Sequence, residues 1–89
     1  MIINEINKGE KIKYTVEGNK ITFGDDELTI NLEKYEKDTE TEINICTDNE
    51  GSLLTTLAER YVAVIVIPVR SEVPFNMDNV TLNLFALEG

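Results

Sequence analysis

Tyr61-Val-Ala-Val-Ile-Val-Ile-Pro-Val69 carries no charge and no hydrogen-bonding side chain except the Tyr61 hydroxyl. Val and Ile, branched at Cβ, dominate it, and such side chains fit a pleated strand better than a crowded helical turn. The run therefore reads as the central strand. Successive side chains point to opposite sides, so Tyr61, Ala63, Ile65 and Ile67 are expected on one face and Val62, Val64 and Val66 on the other. Both faces are apolar, whereas a strand with one wet face alternates apolar with polar residues. A second sheet, a short helix or another chain must then cover each side. Pro68 has no N–H for a ladder and marks the end of the strand. Arg60, Pro68 and Arg70 flank the run as breaks against cross-β stacking of the unfolded chain.

Working outward, the residues before this strand alternate in short units. Ile12, Tyr14 and Val16 alternate with Lys13, Thr15 and Glu17, and Ile21 and Phe23 resume the alternation beyond Gly18-Asn19. Lys11 to Phe23 reads as a hairpin with a tight primed turn. Gly24-Asp25-Asp26 supplies a second turn, and Leu28, Ile30 and Leu32 a third strand, so the first half reads as a meander. Glu33 to Thr41 is polar and reads as a surface loop with a helical turn, Tyr35 being its large anchor. Ile43 and Ile45 define a short fourth strand with Cys46 on its less apolar side, and Asp48-Asn-Glu-Gly51 a turn. Ser52 to Glu59 reads two ways. Ser52 as a cap with Leu53 and Leu57, or Leu54 and Ala58, at i, i+4 spacing fits a short helix, and Thr55-Thr56 fits a strand. Ser71 to Asn79 is a connector, and Val80 to Leu87 a last strand pairing antiparallel with Tyr61 to Ile67. Ile2, Ile3 and Ile6 fit a short edge strand ended by Gly9, although Met1 to Gly9 is ambiguous.

The fold class expected is all-β, or mainly β with one short helix. Its expected form is an antiparallel meander of six to seven strands forming a small sandwich or barrel. The 89 residues suffice for a single β domain, residues 1–89. A hydrophobic fraction of 42% separates the chain from disordered tails despite its formal net charge of −9.

Almost all of that imbalance lies between Asp25 and Glu50. A candidate acidic patch comprises Asp25, Asp26, Glu27, Glu36, Asp38, Glu40 and Glu42. Phosphate backbones bind through Lys and Arg that displace counterions, so no nucleic-acid partner is expected. The longest apolar run is far short of the roughly 20 residues a membrane-spanning helix needs, and no membrane association is expected. Met-Ile-Ile-Asn-Glu lacks the features of a secretory signal, and Cys46, the one cysteine, has no second thiol in the chain to pair with. The location expected is cytoplasmic. Asn79-Val-Thr81 fits a glycosylation acceptor by chance in that setting.

Chemistry finds little foothold. The chain has no histidine, which removes imidazole triads and most zinc sites. Cys46 has no basic neighbour in sequence to make it a thiolate and reads as a buried small residue. The acids of Asp25-Asp26-Glu27 and Asp48-Asn49-Glu50 lack the alternating spacing of a calcium loop, Gly51 following Asp48 by three positions only. No enzyme activity, cofactor or metal is expected. What the residues do favour is association, through a candidate interface of Tyr61, Val62, Val64, Val66, Phe85 and Leu87, because small domains complete their cores by oligomerising.

Three stretches carry a resemblance. Phe23-Gly-Asp-Asp-Glu-Leu-Thr-Ile-Asn-Leu32, Arg60-Tyr-Val-Ala63 with Ile67-Pro68, and Pro74-Phe-Asn-Met-Asp-Asn-Val-Thr-Leu-Asn-Leu-Phe-Ala-Leu87 are similar to small uncharacterised proteins encoded in prophages of Gram-positive bacteria. In those proteins the link between Pro68 and Pro74 is longer, and an acid often follows the Arg-Tyr-Val-Ala segment where this chain has Val64. The resemblance implies a phage setting with a virion or tail-assembly role and supplies no catalytic residues. The function expected is that of a noncatalytic protein acting through protein–protein contacts, a structural or tail-assembly subunit that self-associates or meets a protein partner. The alternative is an acidic inhibitor or regulator binding a basic site on a host protein.

Overall fold

Alternation of apolar and polar residues, repeated in short units, produces a mainly β structure. The computed structural model describes every residue except Leu57, Val73, Glu88 and Gly89. Among the described residues the strands are β1 (Ile2–Glu5), β2 (Tyr14–Glu17), β3 (Lys20–Phe23), β4 (Leu28–Asn31), β5 (Thr41–Thr47), β6 (Leu53–Leu54), β7 (Arg60–Ile67) and β8 (Thr81–Leu84). Single turns of 3-10 helix span Leu32–Tyr35 and Met77–Asn79.

The expected single meander is corrected. The strands form two sheets, one of five in the order β1-β8-β7-β5-β6 and one of three in the order β2-β3-β4. Only the smaller sheet is a meander, because its strands are joined by turns short enough to pair neighbours in sequence. In the larger sheet β1 pairs with β8 from the far end of the chain, and in parallel, with Ile2 beside Thr81 and Glu5 beside Leu84. The edge strand expected within Met1 to Gly9 thus exists over Ile2–Glu5, ending before Ile6 and Gly9. β7 and β8 pair antiparallel as expected, with Ile65 opposite Leu82, and β7 stops at Ile67 before Pro68.

The short helix considered for Ser52 to Glu59 is not formed at Leu53 and Leu54. These residues pair with Thr47 and Cys46 as β6, while Thr55-Thr56, the pair that argued for a strand, form a bend beyond it. The partner proposed for Leu53 in that helix, Leu57, lies outside the described residues. In the loop after β4 the helical turn is present, but Leu32 anchors it, fully buried, while Tyr35 is exposed.

The β2–β3 turn is Gly18-Asn19, with Glu17 opposite Lys20. Positive φ is confined to Gly18, at +59°, as in a II′ turn rather than a I′ turn. A Cβ at Gly18 would meet nothing within 4 Å, so any cost of a side chain there is conformational. Gly18→Ala is expected to lower stability by about 1 kcal/mol, read from the urea midpoint, because a left-handed conformation strains an L-residue. Gly18→Asn should lose about as much, because the first central position of a II′ turn lies outside the αL well that Asn tolerates. A much smaller loss for Asn would mean that the turn has another geometry.

The two sheets share one core. Ile21, Phe23, Ile30 and Leu32 from the smaller sheet and its helical turn cluster with Ile43, Ile45, Ala63, Ile65, Ile67, Leu82 and Leu84 of the larger. One side of the central strand is covered in this way. On β7 the register shifts between Ile45 and Cys46, so that Ile45 faces Ala63 while Cys46 faces Tyr61. Val62 is the extra residue of a β-bulge, and a bulge breaks the two-residue alternation. The expected division of faces is corrected accordingly. Val62 turns into the core, 2% exposed, and Tyr61 moves to the opposite face with Val64 and Val66.

Candidate functional site

The face of the large sheet turned away from the core can be read from its register. One row runs Ile2, Thr81, Val66, Glu42 across β1, β8, β7 and β5. The next runs Asn4, Asn83, Val64, Asn44. Beyond the bulge lie Tyr61, Cys46 and Leu54. Tyr61 also packs on Phe85, with ring centroids 5.8 Å apart and planes tilted by 41°. Such tilted aromatic pairs attract beyond their buried area.

Among the described residues of these rows, Glu42 is the one charged side chain, in a chain with 28% charged residues. Tyr61, Leu54 and Ile2 are 43%, 37% and 51% exposed, and Val64, Val66 and Phe85 are half-buried. The outward face of the smaller sheet differs, bearing Thr15, Glu17, Lys20, Thr22, Thr29 and Asn31. Its Thr22 and Thr29 hydroxyls are hydrogen-bonded at 2.9 Å, and Lys20 and Glu17 add charge. The two outer faces are thus chemically unlike. A low-charge surface with aromatic anchors has the composition of an interface centre.

Of the expected interface residues, Tyr61, Val64, Val66 and Phe85 share this region. Val62 does not, because the bulge buries it. Leu87, half-buried, lies at a cleft of about 580 Å³ with Asp48, Glu59 and Arg60, and the Arg60 guanidinium donates to its carbonyl at 3.1 Å. Sequence reasoning missed Ile2, Asn4, Asn44, Leu54 and Asn83. Their place depends on which strands are neighbours, and the one signal in sequence was the apolar Ile2-Ile3 pair in an ambiguous segment.

The acidic patch divides into groups, two of which each hold one cation. Asp25, Asp26 and Glu27 are exposed at the β3–β4 turn, where the Lys13 ammonium donates to Asp25 at 3.0 Å. That hydrogen bond and the charge of Asp25 raise the Lys13 pKa above its ordinary value. Glu36 and Asp38 lie 3.7 and 3.9 Å from the Arg70 guanidinium, which also donates to the Glu36 carbonyl at 2.6 Å. Glu40 is exposed, and Glu42 projects from β5.

Asp48 accepts from the amides of Glu50 and Ser52, both at 2.9 Å, so its carboxylate organises its own turn. No three metal-ligating side chains converge among the described residues. Cys46 is buried and free, with no exposure to solvent. No described helix is long and apolar enough to cross a membrane.

Comparison with protein-family models, with curated proteins and with solved structures finds no match to this chain.

Proposed function

We propose that this chain is a noncatalytic protein of prophage origin that works as a structural or tail-assembly subunit through protein contacts. The observation that carries this reading is the low-charge outer face of the five-stranded sheet, where exposed Tyr61 packs on Phe85 beside half-buried Val64 and Val66. Burying an apolar surface of this kind against a partner removes it from water, contributing about 25 cal/mol per Å² before the costs of association. The finer form of the fold belongs to the same proposal: a small sandwich with one outer face left for assembly.

The test pairs the chain with each protein encoded beside it, by co-expression and affinity capture at low and at high salt. A neighbour-encoded protein should be retained at high salt, because an apolar contact is not screened. Val66→Lys and Tyr61→Lys, both on the outer face, should each weaken that capture more than about tenfold while leaving the circular dichroism spectrum unchanged. Capture untouched by either substitution overturns the assignment of this face. A partner released as salt rises favours the second reading instead, an acidic regulator that offers the exposed Asp25, Asp26 and Glu27 to a basic site on a host protein.

A further inference from the structure

Strand β1 closes one side of the five-stranded sheet, and every residue from Ile2 to Glu10 is exposed. Its backbone is only half paired. The Ile2 amide donates to the Val80 carbonyl at 2.8 Å and the Ile6 amide to the Leu84 carbonyl at 2.9 Å. By the two-residue period of a strand, Asn4 faces β8 as well, and the N–H and C=O groups of Ile3 and Glu5 point away from the sheet. The opposite edge of this sheet is β6, two residues long, together with the part of β5 before Cys46 that β6 does not pair, and a very short edge strand offers little ladder to another chain. β1 is twice as long, with Glu5 at its end as its one charge.

We infer that β1 is a dimerisation strand, which pairs antiparallel with β1 of a second copy about a two-fold axis at Asn4. The outward-pointing groups determine this register. Hydrogen-bonded positions must be residues whose amides face outward, so Ile3 lies opposite Glu5 of the second copy and Glu5 opposite its Ile3. Each pair exchanges two backbone hydrogen bonds. Asn4 then meets Asn4. Its amide nitrogen already donates to Asn83 at 3.0 Å, which leaves one N–H and the carbonyl oxygen to pair with the same groups of the second copy.

The same register places Ile2 opposite Ile6 of the second copy, and Ile6 opposite its Ile2. Both side chains are 51% exposed in the single chain, and pairing gives each an apolar neighbour. A copy of this strand is the occupant because the segment is self-complementary, as a two-fold interface requires. Charge agrees. Within Met1 to Lys11 the acids Glu5 and Glu10 are matched by Lys8 and Lys11, in a chain of net charge −9, and Lys11 lies 3.6 Å from the Glu5 carboxylate. The contact segment itself therefore adds no like-charge repulsion to that of the two acidic chains. The product is a continuous ten-stranded sheet.

This inference concerns the sheet edge, where Ile2 and Asn4 also end rows of the outer face, so Val66→Lys, on the outer face but away from the edge, is the variant that tells the two surfaces apart. Dimerisation is tested by sedimentation equilibrium and light scattering between about 10 µM and about 1 mM, a range that detects dissociation constants down to the micromolar level. The unaltered chain should reach twice the chain mass of 10.1 kDa within that range. Ile3→Pro removes an outward N–H while leaving the β1–β8 ladder whole, a position where an edge strand tolerates proline. It should stay at the single-chain mass with the circular dichroism spectrum retained. Should Ile3→Pro lose the native spectrum, Ile2→Lys with Ile6→Lys decides, since both positions are exposed and the double change sets like charges opposite one another; it too should stay at the single-chain mass. A single-chain mass for the unaltered protein at the highest concentration overturns the inference, as does a dimer that survives in both variants. A dimer lost instead in Val66→Lys would overturn the edge assignment and leave the outer-face reading standing.

Discussion

Phe23→Ala is expected to lower stability by about 3–5 kcal/mol, the range for emptying an aromatic site in a packed core. Phe23 has no exposed surface and heads the fully buried side chains by volume. It projects from β3 between Tyr14 of β2 and Leu28 of β4, its partners in register, into the cluster shared with the large sheet. Its loss would remove the side chain that seats the small sheet on the large one. At about 0.05–0.15 kcal/mol per residue, a domain of this length has a total stability of similar order, so the variant should be partly unfolded at room temperature. The chain has no tryptophan, which makes tyrosine fluorescence and circular dichroism the probes for urea unfolding. A change below about 1 kcal/mol would contradict the shared core.

The second large effect concerns adjacent residues on opposite faces of β7. Ile65, with no exposed surface, sits between Ile43 and Leu82 on the core side. Ile65→Ala should cost about 2–5 kcal/mol. Val64, half-buried between Asn44 and Asn83, should cost about 1 kcal/mol as Val64→Ala, because part of its surface is wet in the single chain and only two methyl groups are removed. Urea midpoints of the two variants measure the difference directly. Near-equal losses would mean that both faces of the strand are sealed within one chain, and the outer face would lose its claim as a contact surface.

These paired substitutions also mark how far sequence could reach. The apolar run from Tyr61 correctly indicated a strand with two greasy faces, and its end at Pro68 followed from the missing N–H. What alternation could not reveal was the bulge at Val62. A strict two-residue period places Tyr61 with Ile65, and one extra residue reverses that for everything on its N-terminal side. One interface candidate was thereby buried, while Tyr61 joined Val64 and Val66. Leu53 and Leu54 were ambiguous for a related reason. Two residues of strand gain stability only from a partner, β5, whose position no local pattern specifies.

Local chemistry alone determined the β2–β3 hairpin, the turns at Gly18 and Asp48, the meander of the smaller sheet, and a chain whose acidity concentrates in its middle third. Each rests on residues a few positions apart, where backbone preference and side-chain alternation act directly. Tertiary structure decided the parallel seat of β1 beside β8, the division into two sheets, and the gathering of Ile2, Leu54, Tyr61, Val64 and Val66 on one low-charge face. Those outcomes join residues tens of positions apart, and they are selected by which apolar surfaces can be buried together, a property of the whole chain that no window of sequence contains.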